Sequence, residues 1–318
     1  MNRPGHVVVA GGAGFLGSHL CDRLIERGDR VTCIDDLSTG RHANIAHLDG
    51  DGFRFIERDV VQSGFDELEL EDVTAVMHLA SPASPPEFLR RPLATLDVNS
   101  IGTRHLLDLA RAHDARFFLA STSEIYGDPL VHPQPESYWG NVSSTGPRSV
   151  YDESKRFAES LTMTYRREFD LDVRIVRIFN TYGPRMQPLD GRVITNFVNQ
   201  ALAGEPITIY GDGSQTRSFC FVDDEIRGFL SLLDGPDTGP INIGNPNEFT
   251  MLELASVVVE LTGSSSEIVH MALPVDDPKQ RCPDISLARE LLQWEPTIEL
   301  RDGLALTIEW FAPATPSA

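Results

Sequence analysis

Cysteine is scarce in this chain: Cys21, Cys33, Cys220 and Cys282 are the whole complement, and no two stand in a C-x-x-C pair. Such scatter argues against a structural zinc and suits a reducing compartment. The nine histidines show no metal-ligand spacing either, so no metal is expected. Long apolar runs are also missing. None approaches the ~20 residues that cross a bilayer, and the opening MNRPGHVVVAGG lacks the extended apolar region of a secretory signal. The expectation is a cytoplasmic protein with no membrane association. Positive charge is in short supply, with 27 Lys and Arg against 47 Asp and Glu and a net charge of −20. That balance excludes the electrostatic footprint of a nucleic-acid binder, so no nucleic acid is expected as a partner. Internal repeats and low-complexity segments are absent apart from a tail, PATPSA, expected to fray.

What is present is an ordinary globular composition, 41% hydrophobic and 23% charged over 318 residues, enough for a large core. The run HVVVA (residues 6–10) has the apolar, β-branched character of a buried parallel strand, and Phe15, Leu16, His19, Leu20 and Leu24 come after it at helical spacing. The intervening GGAGFLG therefore forms a strand-to-helix turn. Its glycines read either as G-x-x-G-x-x-G (Gly11, Gly14, Gly17) or as G-x-G-x-x-G (Gly12, Gly14, Gly17). At such a turn the helix amides and dipole attract an anion, and missing Cβ atoms let a pyrophosphate approach the backbone. A second strand, RVTCIDD (30–36), brings Asp35 eighteen residues after Gly17, near the spacing of a ribose-binding acid. A carboxylate there repels a 2′-phosphate and favours NAD over NADP, although Arg41 stands nearby.

Strand and helix then alternate. FRFIE (53–57), AVMHLA (75–80), RFFLAST (116–122) and VRIVRIF (173–179) read as strands, with helices over 97–113 and 151–169. This is the rhythm of an α/β doubly wound parallel sheet of the Rossmann type, whose ligands lie at the carboxyl ends of the strands, where Asp59, Leu79, Ala80 and Thr122 fall. The expected organisation is an NAD-binding domain over 1–178, to which some later segments return, and a smaller α/β substrate-binding C-terminal domain over 179–318. There TMLE (250–253) reads as a capping box. An anionic ligand on so acidic a chain needs local cations, and Arg177, Arg185, Arg192, Arg217 and Arg281 all lie in the second half.

The chemistry is concentrated in YDESK. Tyr151 and Lys155, at i and i+4, project from one helix face. A free tyrosine titrates at ~10, and lowering it to neutrality takes about 4 kcal/mol of differential stabilisation. An adjacent ammonium, helped by an oxidised nicotinamide, is expected to supply much of that.

GGAGFLG together with YDESK resembles the extended short-chain dehydrogenase/reductase family, whose glycine spacing is that of Gly11, Gly14 and Gly17. HLASPASPP, STSEIYGDP, YWGNV, RIFNTYGPRM, DGRVITNF, YGDGSQTRSF and RCPDI…WEP, in this order, narrow the resemblance to its UDP-glucuronate decarboxylase branch. The resemblance implies that Tyr151 is the base on the carbon 4 hydroxyl, Lys155 its modulator and ribose ligand, Thr122 a hydroxyl partner, Glu124 the carboxylate near carbon 5 and Arg281 a catalytic arginine. It assigns cofactor contacts to Gly11, Gly14, Phe15, Leu16, Gly17, Asp35, Asp59, Leu79, Asn99, Tyr151 and Lys155. Nucleotide-sugar contacts fall to Asn180, Arg185, Arg192, Tyr210, Gln215 and Arg217. The implied reaction is NAD-dependent decarboxylation of UDP-glucuronate to UDP-xylose through a 4-keto intermediate. The pair Ser123-Glu124 departs from the Asp-Glu of 4,6-dehydratases, and Glu87, Phe88 and Arg90 depart from the usual pattern on the sugar side. A 4,6-dehydratase or 4-epimerase remains the alternative, with a noncatalytic dinucleotide-sensing regulator behind it. The resemblance also implies a homodimer joined by a four-helix seam, with Leu106, Leu107, Phe157, Leu161 and Met163 as candidate contacts.

Overall fold

The computed structural model describes residues 4–272 and 280–312, and the tail PATPSA lies outside them. Chain order begins β1 His6–Ala10, α1 Phe15–Glu26, β2 Arg30–Asp35, β3 Phe53–Glu57, β4 Val73–His78, α2 Pro85–Arg90, α3 Pro92–Asp97, α4 Thr103–Ala112 and β5 Arg116–Thr122. It continues α5 Ser149–Phe169, β6 Val173–Ile178, β7 Thr181–Tyr182, α6 Val193–Ala203, β8 Ile207–Tyr210, β9 Thr216–Ser218, β10 Cys220–Phe221 and α7 Val222–Asp234. It ends β11 Ile241–Ile243, β12 Glu248–Thr250, α8 Met251–Thr262, β13 Ile268–Met271, α9 Ser286–Leu292 and α10 Leu300–Phe311.

The apolar runs form one seven-stranded parallel sheet in the order β11-β6-β5-β4-β1-β2-β3. All five residues of β1 are buried, as a strand covered on both faces requires. The chain runs outward from β1 through β2 and β3, then crosses to β4 on the other side. The crevice at this switch point is where a doubly wound sheet binds its ligand. Register aligns the strand ends there: Ala10 pairs with Ile34 and His78, and the Gly11 and Leu79 amides donate to the Ile34 and Ala10 carbonyls, each at 2.8 Å. The sheet's two faces carry separate apolar cores.

β11 lies beyond residue 178 in sequence yet joins the sheet beside β6. The remaining short strands pair as β7 with β10 and β8 with β13, both parallel, and β9 with β12, antiparallel. The Thr250 hydroxyl accepts from the Glu253 amide and the Glu253 carboxylate accepts from the Thr250 amide, closing the capping box that opens α8.

The helix expected over 97–113 differs in detail. Helical structure begins at Pro92, passes through a π turn at Val98–Gly102 and resumes as α4. Such an insertion rotates the face of the helix beyond it, and here it carries Asn99 fully into the interior. Leu106 and Leu107, expected at the seam, are core instead, with no exposed surface.

The last part of the chain is fastened by one carboxylate. Asp224, on α7 and 1% exposed, accepts from the Thr297 and Ile298 amides at 2.8 Å each and from the Thr297 hydroxyl at 2.9 Å. Its own carbonyl accepts from the buried Trp294 indole at 3.0 Å. Removing the carboxylate leaves the two part-buried amides, and the Arg227 guanidinium that also donates to it, without their acceptor. Asp224→Ala is expected to destabilise the fold by about 3 kcal/mol. A denaturant midpoint unchanged from the parent would refute that role.

Candidate active site

The glycine turn is shaped by contact as much as by conformation. Gly11 has φ +81°, and a Cβ there would lie 2.5 Å from the Ala80 amide nitrogen. A Cβ on Gly17 would lie 2.1 Å from the Gly11 carbonyl oxygen, so the first and last glycines of the G-x-x-G-x-x-G spacing pack on each other. Gly14 is the N-cap of α1 and offers no side chain to the first helical amides. They are left for an anion.

This turn forms one wall of a cavity of about 530 Å³. Gly11, Gly14, Phe15, Leu16, Gly17, Asp35, Asp59 and Leu79 all line it. The Asp35 carboxylate accepts from the Ala13 and Leu37 amides at 3.0 and 2.8 Å, and burial raises its pKa while those amides pull it back. The bare helix N-terminus, the glycine cradle and the held acid fit a dinucleotide with a free ribose diol. Asn99 is placed differently: its amide donates to the Ser81 and Ser154 hydroxyls at 3.1 and 3.0 Å, behind the cavity wall. It braces the loop after β4 against α5.

The opposite wall carries Thr122, Glu124, Tyr151, Lys155, Asn180, Arg192, Arg217 and Arg281. Thr122 ends β5 and its hydroxyl accepts from the Glu124 amide, opening the short turn Ser123–Tyr126. Tyr151 is 5% exposed and stacks on Phe88, with ring centroids 5.1 Å apart and planes at 4°. The Lys155 ammonium lies 5.9 Å from the Tyr151 ring centroid and donates to the Ala120 carbonyl at 2.9 Å. Burial holds the ammonium down to about 7, against a smaller opposing pull from Glu159.

The Tyr151 hydroxyl is surrounded by groups that oppose its ionisation. Burial pushes it well above the ordinary phenol range, the Glu124 carboxylate adds to that, and a hydrogen bond with Thr122 only partly offsets them. The protein's own groups therefore favour the protonated phenol, and the lowering expected of Lys155 with an oxidised nicotinamide has to act against that burial.

Glu124 is the most strongly constrained charge. Burial alone would raise its pKa, yet Arg281 and Arg148 overcome that and hold it at about 2. Both Arg281 terminal nitrogens donate to it, the second at 3.1 Å, and Arg148 donates to the same oxygen. The Arg281 Nε is buried without a partner. Arg148 is a site residue that the sequence motifs do not single out, although its place three residues before Tyr151 puts both on one helix face, which is signal enough. Next to Tyr151, Asp152 is buried with one carboxylate oxygen unpartnered. Burial, and then Glu124, raise it to about 7.

Other expected contacts lie apart from the cavity wall. Arg185 pairs with Asp22 at 2.7 Å. Gln215 donates to the Tyr210 carbonyl at 2.6 Å in the turn between β8 and β9. Arg177 is held by Glu159 at 2.9 Å and by the Tyr126 hydroxyl. Of the divergent stretch, Glu87 faces the cavity while paired with Arg90 at 2.7 Å, and Phe88 is the ring beneath Tyr151.

The sequence model of the NAD dependent epimerase/dehydratase family matches residues 7–244. UDP-glucuronic acid decarboxylase 4 of Arabidopsis thaliana is 54% identical over 306 residues, covering 96% of this chain and 68% of that protein. Among solved structures, UDP-glucuronic acid 4-epimerase of Bacillus cereus, in complex with UDP-glucuronic acid and NAD, is similar at 31% identity. Its TM-score is 0.82 over 96% of this chain and 98% of its own. The dTDP-glucose 4,6-dehydratase of Streptomyces venezuelae, with NAD bound, gives 0.87 at 30% identity over 96% of each chain.

Lys155 yields a test in which function and stability part company. Its depressed pKa means that the unfolded chain takes up a proton below ~10.4 while the folded chain waits until about 7. Stability is thus lost as pH falls from about 10 to 7, and the full penalty, on the order of a few kcal/mol, applies below 7. Against it stands one hydrogen bond of about 1 kcal/mol. Lys155→Met should abolish turnover and yet raise Tm at pH 7, the gain shrinking toward pH 10. A variant less stable than the parent at pH 7 and equal to it at pH 10 would contradict this electrostatic reading.

Proposed function

The chain belongs to the NAD dependent epimerase/dehydratase family, and from that premise we propose that it converts UDP-glucuronate to UDP-xylose by NAD-dependent decarboxylation. The observation that carries the reading is the Arg281–Glu124–Arg148 cluster beside Tyr151, preceded by Ser123 where a dehydratase places an acid. Two guanidiniums against one carboxylate leave a net positive charge where a sugar carboxylate must be received.

NAD supplies the reversible oxidation at carbon 4 of the sugar, and the glycine turn, Asp35, Asp59 and Leu79 are the residues that would hold it. The roles of the chain's own groups follow from their placement. Tyr151 takes the proton of the carbon 4 hydroxyl, which it can do only as the phenolate; the positive charge of NAD, with the Lys155 ammonium, would supply the stabilisation that burial opposes, and the Thr122 hydroxyl orients it. A ketone at carbon 4 is β to the carboxylate. The carbon 5–carbon 6 bond can then break with its electron pair delocalised as an enolate while CO₂ leaves. Arg281 steadies the carboxylate before cleavage and the enolate after it. One proton enters at carbon 5. Glu124, held at about 2, has no proton to give at neutral pH, so a water ordered against it is the donor. Arg192, Arg217 and Asn180 face the nucleotide and diphosphate.

Turnover in D₂O should release CO₂, accumulate no NADH and place one deuterium at carbon 5 of the pentose and none at carbon 4. A product that keeps all six sugar carbons would defeat the decarboxylase reading, and an unlabelled pentose would defeat the enolate step.

A homodimer is part of the same proposal, as is action in the cytoplasm. Helices α3 and α5 pack side by side and leave Leu93, Leu96, Ile101 and Phe157 exposed, Leu93 at 74% and Phe157 at 50%. A second copy of this pair would bury them as a four-helix seam. Light scattering is expected to give two chains per particle for the parent and one for Leu93→Asp/Phe157→Asp. A monomeric parent at micromolar concentration would refute the seam.

A further inference from the structure

Away from the reaction cavity, three segments bring an imidazole, a carboxylate and a thiol together. His132 lies in the loop between β5 and α5, Glu248 opens β12, and Cys282 immediately follows Arg281. Their ligand atoms all lie within 4.8 Å of one another. This departs from the expectation of no metal, which rested on spacing along the sequence, and these residues have no such spacing.

We propose that His132, Glu248 and Cys282 form a binding site for a zinc-type divalent cation that fastens the Arg281 segment to the β9–β12 strand pair. The donor set is borderline-soft: thiolate, imidazole and carboxylate suit zinc, whereas magnesium and calcium demand oxygen. Three protein ligands leave the fourth tetrahedral position to water.

The surroundings hold the ligands in place. His132 Nε2 and Glu248 Oε2 already stand 3.0 Å apart, and the other Glu248 oxygen accepts from the Thr216 hydroxyl at 2.6 Å. That is the kind of outer contact that orients a metal-bound carboxylate. Gln134, two residues after His132, grips the third ligand's backbone. Its side-chain oxygen accepts from the Cys282 amide at 2.9 Å, and its own amide donates to the Cys282 carbonyl at 2.9 Å. Zinc bonds of 2.0–2.3 Å place tetrahedral ligand atoms roughly 3.5 Å apart, so about 1 Å of side-chain movement closes the site without shifting these backbones.

Binding exchanges the thiol proton for the metal. The Cys282 S–H gives its proton to solvent, the thiolate takes the cation, and the bond it now donates to the Pro246 carbonyl at 3.3 Å is released. His132 is exposed, which gives the ion a way in. The site joins the neighbour of Arg281 to a residue hydrogen-bonded to Thr216, the neighbour of Arg217. A bound cation therefore ties together two cavity arginines that are far apart in sequence.

The test uses the full chain freed of metal with a chelator, then titrated with ZnCl₂ or CoCl₂. One equivalent of zinc should bind and raise Tm, equal MgCl₂ should do neither, and cobalt should develop a thiolate-to-metal charge-transfer band in the near ultraviolet. His132→Ala, an exposed change that leaves the core intact, should weaken zinc binding at least tenfold. Cys282→Ser should remove the cobalt band. No binding by the parent at about 100 μM zinc, cobalt bound without the thiolate band, or undiminished one-to-one binding in both variants would each overturn the site.

Discussion

The hydrogen bond from the Lys155 ammonium to the Ala120 carbonyl at 2.9 Å sets the catalytic face of α5 against β5, two elements that a shared apolar core and the Ser121–Glu159 bond already hold together, and the reacting side chains hang from them and from the turn after β5. Burying an amine is costly, and the protein arranges its surroundings to bear it. His78, also buried near Lys155, is held down to about 3, first by burial and then by the lysine's charge, and so adds no second cation. Asn99 closes the other side through Ser81 and Ser154. Phe88 presses flat on Tyr151, so the phenol has one orientation, with its hydroxyl at Thr122. The expensive lysine is thus the peg on which the geometry of catalysis depends.

Charge at the site is decided locally. A chain of net charge −20 is a poor partner for a nucleotide sugar over long distances. Its cavity, however, is lined by Arg58, Arg91, Arg148, Arg192, Arg217 and Arg281. Other arginines serve the scaffold: Arg177 bridges α5 to β6 through Glu159, and Arg185 is spent on Asp22. Within the cavity, Asp190 pairs with Arg192 and Glu124 with Arg281 and Arg148. At Glu124 two guanidiniums meet one carboxylate, so the anion there holds the cations in position rather than cancels them, although seven acids line the cavity as a whole.

Features written in local sequence are legible without the fold. Apolar β-branched runs mark the strands, the glycine spacing marks the turn, and an i, i+4 relation places Tyr151 with Lys155. Features that depend on chain return are not. Glu124 and Arg281 meet across 157 residues, and in the sequence only the resemblance pairs them in one site. The π turn that swallows Asn99 has no compositional mark, because it arises where the helix must pass Val60: a Cβ on Gly102 would come within 2.8 Å of that side chain. Asp224 reads like any acid at a helix start until Thr297 and Ile298 fold back on it. The same limit hides the pKa of Tyr151, since an adjacent lysine is visible in sequence but the burial that outweighs it is not.

The electrostatics also fit the proposed loss of carbon, rather than of water, within a family of epimerases and dehydratases. Expelling a hydroxyl from carbon 6 requires a proton delivered by an acid at that carbon. Ser123 has no acidic proton near neutrality, and Glu124 is kept ionised by two arginines down to about pH 2. Loss of CO₂ needs no such acid: it requires a substrate carboxylate set β to a ketone that receives the electron pair. A carboxylate locked between guanidiniums meets that demand by holding cations where the sugar acid must sit. The clamp on Glu124 thus favours the proposed reaction as directly as Tyr151 enables it.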